Sequence, residues 1–485
     1  EVEGNRFSHP VFRLFLPELE AVYEEKNIAL DDPDERVYDQ MLEALFPQHP
    51  YGTQPIIGHA KHLKTPAYGD MEAFFRTHYV PNNAAIMLAG DVSRTEILPI
   101  LEQAFGGWQP RRHPPAKVPP LTGPQGKVEV EIVAEGEQSV TLAWRTVPVG
   151  HPDELALVAL DRLVDHRAHG LLHDKLLLTQ QLPDASSMSE LLREGGYWSL
   201  SGVAREGQSL EQVEALLRGV IDDLKAGNFT PDDLAAVTLH AQIDHKLALE
   251  SRASRVAHMT SAYATGQQWR DYLSRIDRLA AVTPAQIQTV ARRYFGDDHV
   301  LVHRRDGVHK PPVLPKPHIT PVAIDPARES AYAKAIRARS HQPPTPRWVA
   351  IGNQVNAGRN PAGPIYATQN THSDLFQLVY NFNTGLRDQP LLCHALDLLE
   401  LSGAGSHTAI SLQKQLHQLG TSIKTECGAQ EMRITVTGID THLQRSVELL
   451  RLWLQAPNFD NKTLEALLAN TLSQRRDEQA SPESI

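Results

Sequence analysis

The sequence predicts an α+β protein assembled from repeated αβ units, and three internal matches carry that prediction. Tyr68 to Val92 reads YGDMEAFFRTHYVPNNAAIMLAGDV, and the stretch from Pro284 reads PAQIQTVARRYFGDDHVLVHRRDG. Each is a helix ending in Tyr (Tyr79, Tyr294), then a polar turn, then an apolar strand, Ala84 to Leu88 or His299 to His303. In the second match, Val140 to Trp144 leads through Gly150 into a leucine-spaced helix over Glu154 to Val164, and Phe376 to Tyr380 leads through Gly385 into another over Leu391 to Leu401. The third joins the two ends: Leu19 to Glu25 lies over Leu464 to Asn470, each after a Pro and a Phe (Pro10 and Phe12, Pro457 and Phe459).

These matches divide the chain. Residues 1–112 read as the rear of one unit, 113–320 as a complete unit, 321–345 as a linker and 346–485 as the front of a further unit. Two proline-rich stretches mark the joins, Pro110 to Pro124 and Pro311 to Pro346, because proline removes backbone donors and stiffens a connecting segment. Between the later prolines, Arg328 to Arg339 predicts a short helix.

Bulk properties exclude several function classes. At 485 residues the chain exceeds a single ordinary core. A formal charge of −11 with no basic cluster argues against nucleic-acid binding. No apolar run is long enough to span a bilayer, and no basic-then-apolar leader opens the sequence. The two cysteines, Cys393 and Cys427, are too few for a disulfide framework or a four-thiolate zinc site. The 23 histidines are scattered, and most read as surface or core residues without a metal role.

The chemistry-bearing candidate is the acidic helix near the start. Pro17 suits a first helical turn, and the helix is expected to run from about Pro17 to Leu30, ending at Asp31-Asp32-Pro33. There Asp32 caps a second helix, with Pro33 in its first turn and Glu35 placed for a capping box. Glu18 and Glu25, two turns apart, share a face with Ala21, Val22 and Ala29, so partial desolvation of both acids is expected; Glu20 and Glu24 point elsewhere, toward solvent. Taken alone, the helix reads as a solvated acidic surface.

The text around it changes that reading. Phe7-Ser-His-Pro through Lys26-Asn27, Leu42-Glu-Ala-Leu-Phe-Pro-Gln-His-Pro-Tyr-Gly52, His78-Tyr-Val-Pro-Asn-Asn83 and Ala89-Gly-Asp91 resemble, in order and spacing, the landmarks of the pitrilysin and insulin-degrading-enzyme family of zinc metallopeptidases. The resemblance implies clamshell-type αβ units, mostly antiparallel sheet with helices packed on one face. It also implies a zinc-dependent endopeptidase acting on peptides or unfolded polypeptides, one zinc ion in the parent protein, and a fold compatible with homo-oligomers. A periplasmic or cell-envelope setting is slightly favoured over the cytoplasm on the same basis.

In that family a His-x-x-Glu-His helix supplies two zinc ligands and the general base, and a later Glu, the second of two acids seven apart, completes the site. By resemblance that Glu is Glu25, a metal ligand, and Glu18 is its supporting, second-shell partner. Zinc held by three protein ligands keeps one position for water and lowers that water's pKa. No His-x-x-Glu-His occurs in this sequence, however, and the repeat alignment places one upstream of Glu1. In the last unit the equivalent helix reads His394-Ala-Leu-Asp397-Leu398 and the later-Glu position is Asn470, so that unit is degenerate.

The expectation is a chain inactive by itself that carries one ligand of a peptidase. The alternatives are a non-catalytic scaffold or partner subunit, or a second chain that supplies the motif. Two further histidine groupings are weaker. His151-Pro-Asp153-Glu154 more simply opens a helix, and His59 with His62 lacks a third ligand nearby. No substrate-binding pair is assigned in the middle unit, and Tyr197 reads as a packed aromatic.

Overall fold

The structure is a computed structural model that describes residues 1–64, 67–166, 170–310, 323, 325, 327–339, 345–346 and 348–480. Its centre is a five-stranded sheet of β1 (Lys127–Ala134), β2 (Ser139–Thr146), β3 (Ala185–Leu191), β4 (Gly196–Val203) and β5 (His299–Asp306), in the order β1-β5-β2-β4-β3. Only β1 and β5 run parallel; the other pairs are antiparallel. The apolar residues of β2 and β4 are buried on both faces, as a strand inside a covered sheet requires.

One face is covered by helices Glu154–Val164, Leu210–Ala226 and Pro284–Tyr294, whose apolar stripes meet Leu142, Trp144, Trp198 and Leu200. Local chemistry sets the ends of these helices. Ser209 and Gln212 form a capping box at one start, and Gly227, at φ 80°, takes the left-handed turn that ends the same helix. Trp144, Trp198 and Phe295 form one aromatic cluster, with Trp198 stacked on Phe295 at 4.5 Å.

The other face of the sheet is covered too, by helix Pro33–Leu45 from the first segment. Met41, Leu45 and Phe46 pack on Ile132, Ala143, Val300 and Val302. Arg304 pairs with Asp34 at 2.9 Å, and Arg36 donates to the Val133 carbonyl. Tyr197, read as a packed aromatic, is buried here and donates to the Tyr38 hydroxyl.

The repeat Tyr68 to Val92 holds only in part. Helix Tyr68–His78 and a turn at Pro81–Asn83 form, but 84–88 has no regular structure, and Ile86 and Leu88 are 50% and 47% exposed. The physical reason is that a strand exists only through a neighbour's hydrogen bonds, and no described strand lies beside it. Its counterpart, β5, sits between β1 and β2 and is buried.

After the middle sheet come helix Ala331–Arg337, inside the expected Arg328 to Arg339, and a hairpin of β6 (Asn356–Asn360) and β7 (Gly363–Ala367). The proline runs at 311–320 and 342–344 lie outside the described residues. A second sheet follows, of β8 (Leu375–Phe382), β10 (Ser422–Cys427) and β11 (Met432–Ile439), with a two-residue β9 (Gly403–Ala404) pairing with β12 (Pro457–Asn458). Helices Ala409–Gln418 and Leu443–Gln455 close its core around Leu412, Leu449 and Trp453. A disulfide joins Cys393, on helix Leu392–Glu400, to Cys427 at the end of β10. Two cysteines make no framework, but they make this one staple.

Helix Pro231–Glu250 lies between the two sheets' helices. It bonds the later segment through Asp233 to Lys414 (2.7 Å), Lys246 to Asp374 (2.6 Å) and Glu250 to Ser373 (2.6 Å). No described helix is long and apolar enough to cross a membrane.

Candidate functional site

The acidic helix spans Phe15–Asp31, two residues earlier than expected at its start. Asp32 accepts from the Asp34 and Glu35 amides, but its own amide is bonded to the Ile28 carbonyl, so the cap is one-sided and no reciprocal Glu35 bond forms. The buried face of the helix carries Leu19, Tyr23 and Lys26, with Lys26 at 3.9 Å from Asp39. Glu18 and Glu25 lie about 100° around the helix from that face, and both are exposed. The expected partial desolvation of these two acids is therefore corrected. Of the small residues beside them only Val22 and Ala29 are half-buried, Ala21 being exposed. Glu24 is exposed as expected, whereas Glu20 is half-buried.

A catalytic zinc needs three protein donors around one centre. Among the described residues Glu25 belongs to no group of three His, Cys, Asp or Glu side chains close enough to share an ion. The residues present on this helix therefore do not by themselves fit that zinc.

The other sequence candidates resolve into structural roles. Asp153 and Glu154 open helix Glu154–Val164. Asp153 accepts from Tyr294 (2.6 Å) and Arg293, and Glu154, buried, takes the Gly150 amide and Arg275. His59 bonds the Thr53 carbonyl at 2.7 Å beside His62, and among the described residues no third ligand joins them. His394 is bonded by Arg475 (3.0 Å), and Asn470 donates to Gln180 (2.8 Å).

One grouping was not visible in the sequence. His166, just past the C-terminus of helix Glu154–Val164, His240 on helix Pro231–Glu250 and His417 on helix Ala409–Gln418 converge, with one ligand atom from each within 4.8 Å of the others. His166 and His240 are buried. The His240 and His417 rings stack at 4.2 Å, and the His166 ring lies 5.1 Å from His240.

Each of two rings is oriented by a partner that only accepts. His166 Nε2 donates to Asp244 Oδ2 (3.1 Å), which also takes Arg162 (2.8 Å), and His240 Nε2 donates to the His417 carbonyl (3.0 Å). Burial first, then the neighbouring His240 and His166, push His417 down to about 3, so its ring is neutral at ordinary pH. A cavity of about 70 Å³ lined by Arg162, Phe229, Asp233, Val237 and Lys414 opens beside it.

The two sheets with their helices define an α+β architecture, and known proteins share it. Residues 67–238 match the family model described as "Peptidase M16 inactive domain". A zinc protease of Helicobacter pylori, PqqE, is 22% identical over 289 residues, covering 58% of this chain and 65% of that protein's own length. Among solved structures, a protease from Helicobacter pylori aligns with a TM-score of 0.58 at 18% identity, over 61% of this chain and 73% of that one. The periplasmic protease PqqL from Escherichia coli aligns at 0.50 and 13% identity, over 95% of this chain and 55% of that one. Over residues 67–238 the chain is thus similar to the inactive domain of M16 peptidases, and over more than half its length it is similar to proteins named zinc proteases.

Proposed function

We propose that the whole protein is a zinc-dependent endopeptidase acting on peptides or unfolded polypeptides, and that this chain contributes Glu25 as a zinc ligand with Glu18 as the acid that orients it. The observation that carries the reading is the contrast within the repeat. In the sequence Leu19 to Glu25, on helix Phe15–Asp31, aligns with Leu464 to Asn470, on helix Asn461–Ala480, yet one carries the Glu18/Glu25 pair and the other has Asn470 where the later acid would stand. Retention of both acids on an exposed helix face supports a ligand role. In this reading 1–112 belongs to the zinc-binding unit, 113–320 is a non-catalytic unit, 321–345 is a linker and 346–485 is a degenerate unit. The chain alone, whose sequence has no His-x-x-Glu-His, does not hydrolyse peptides.

A non-catalytic scaffold or partner subunit is the second reading, favoured by the match of residues 67–238 to an inactive-domain model. Cleavage of a quenched peptide by the full-length protein separates the two. The peptidase reading expects activity that is lost with chelator and in Glu25→Gln, and a metal affinity about 10- to 100-fold weaker in Glu18→Gln. Activity unchanged in Glu25→Gln removes the ligand assignment. A full-length protein that is metal-loaded and inert leaves the scaffold.

A further inference from the structure

We infer that His166, His240 and His417 form a second metal site, for a divalent d-block cation of the zinc, cobalt or nickel type, which clamps the later segment onto the middle one. The site is independent of Glu25. It stands on three observations.

The first is convergence. Three imidazoles from elements far apart in sequence, His240 and His417 being separated by 177 residues, bring one ligand atom each within 4.8 Å. Imidazole is the ligand that suits zinc, copper and nickel, and three protein ligands plus a water is a common tetrahedral arrangement. Coordination requires the stacked His240 and His417 rings to splay by a modest rotation, so that both aim at a common centre.

The second is the outer shell. Metal-binding histidines donate their other ring N–H to a carboxylate or a backbone carbonyl, which fixes the tautomer and leaves a lone pair for the metal. His166 donates Nε2 to Asp244 and His240 donates Nε2 to a carbonyl, so in each neutral ring Nδ1 carries the lone pair. The His166 Nδ1 atom is buried and has no hydrogen-bond partner, a cost that a bound cation would relieve. Asp244 is itself held by Arg162, as a positioned second carboxylate should be.

The third is charge and space. Among the described residues, the nearby cations Arg162 and Lys414 are each paired with a carboxylate, Asp244 and Asp233, so neither leaves an uncompensated positive charge against the ion. The 70 Å³ cavity beside His417 exceeds the roughly 10–15 Å³ that a water needs. A water there can complete the coordination.

On their helices His240 with Asp244, four apart, and Lys414 with His417, three apart, each share one face. The bound ion would tie helices Pro231–Glu250 and Ala409–Gln418 across the boundary between the two sheets' helices.

The test is titration of the chelator-treated chain with Co²⁺, read by visible absorption, and with Zn²⁺, read by calorimetry. The expected result is one ion per chain with tetrahedral-type cobalt absorption. His417→Gln and His166→Asn should each weaken binding at least 100-fold, Asp244→Asn should weaken it about 10- to 100-fold, and Glu25→Gln should leave it unchanged. Absence of a stoichiometric ion, or undiminished binding in His417→Gln, overturns the site and leaves only adventitious binding to surface histidines. Circular dichroism checks that each variant is folded. Should the variants not fold, X-ray absorption of zinc on the unmodified chain decides: three imidazole nitrogens at about 2.0–2.1 Å support the site, and an oxygen-only shell overturns it.

Discussion

The middle sheet and the first segment are built from the same kind of repeat but bury it differently. In the middle region β5 has a neighbour on each side, and the helix before it, Pro284–Tyr294, packs into a core with Trp144 and Phe295. In the first segment the matching helix, Tyr68–His78, has no buried residue, and the residues after its turn form no strand and leave Ile86 and Leu88 half exposed. A similar pattern of apolar residues therefore gives a strand in one place and an open segment in the other. The difference lies in the neighbours, since a strand's backbone groups are satisfied only across a sheet.

The comparison can be broken at its strong side first. Trp198 is buried against Phe295 and donates to Asp161 at 2.8 Å, so Trp198→Ala removes aromatic packing and one donor from a half-buried carboxylate. A loss of about 3–5 kcal/mol is expected, as for other buried aromatics, read as faster hydrogen exchange throughout β2, β4 and β5. A loss below about 1 kcal/mol would mean that the middle core is much looser than its burial implies.

The later segment supplies an intermediate case. Cys393→Ser opens the loop closed by the disulfide across a separation of 34 residues, and a destabilisation of roughly 2–4 kcal/mol is expected, confined to exchange in β8, β10 and β11. Equal loosening of the middle sheet would show that the two bodies unfold together.

A smaller effect is expected where the first segment is anchored. Asp32 accepts two amides at the start of helix Pro33–Leu45, so Asp32→Ala should cost about 1 kcal/mol and raise exchange in that helix. At the weak side, Ile86→Ser should change stability by less than about 0.5 kcal/mol, because the side chain is already 50% in solvent. A large loss at Ile86 would restore the strand that the sequence pattern suggests.

These cases also show what could be read before the structure was known. Helix Glu154–Val164 was legible because its leucines recur at three- and four-residue spacing and bury one face, and Asp32 was legible because an acid before Pro33 is a local cap signal. The burial of Glu18 and Glu25 was misjudged. Periodicity shows which residues share a face, but the buried face is chosen by what the helix packs on, here helices Pro33–Leu45 and Ala60–Lys64, with Lys26 meeting Asp39 of the former. The histidine grouping was illegible for the complementary reason: each member carries only a weak local signal, and their meeting depends on how three separate elements are arranged in space. In the same way, nothing in the spacing of Cys393 and Cys427 indicates that a helix would lie beside β10 and bring the two sulfurs together.

That staple also changes what a cut in the chain would mean. The segment from 394 to 426 holds helix Ala409–Gln418, with Lys414 and His417 on it, and most of β10. A protease that nicked the backbone once anywhere within it would release nothing, since the two pieces would stay joined through sulfur. The nicked molecule would run as one species on a denaturing gel without thiol and as two with it. Its ends would remain neighbours long enough for the surrounding contacts to hold the structure together.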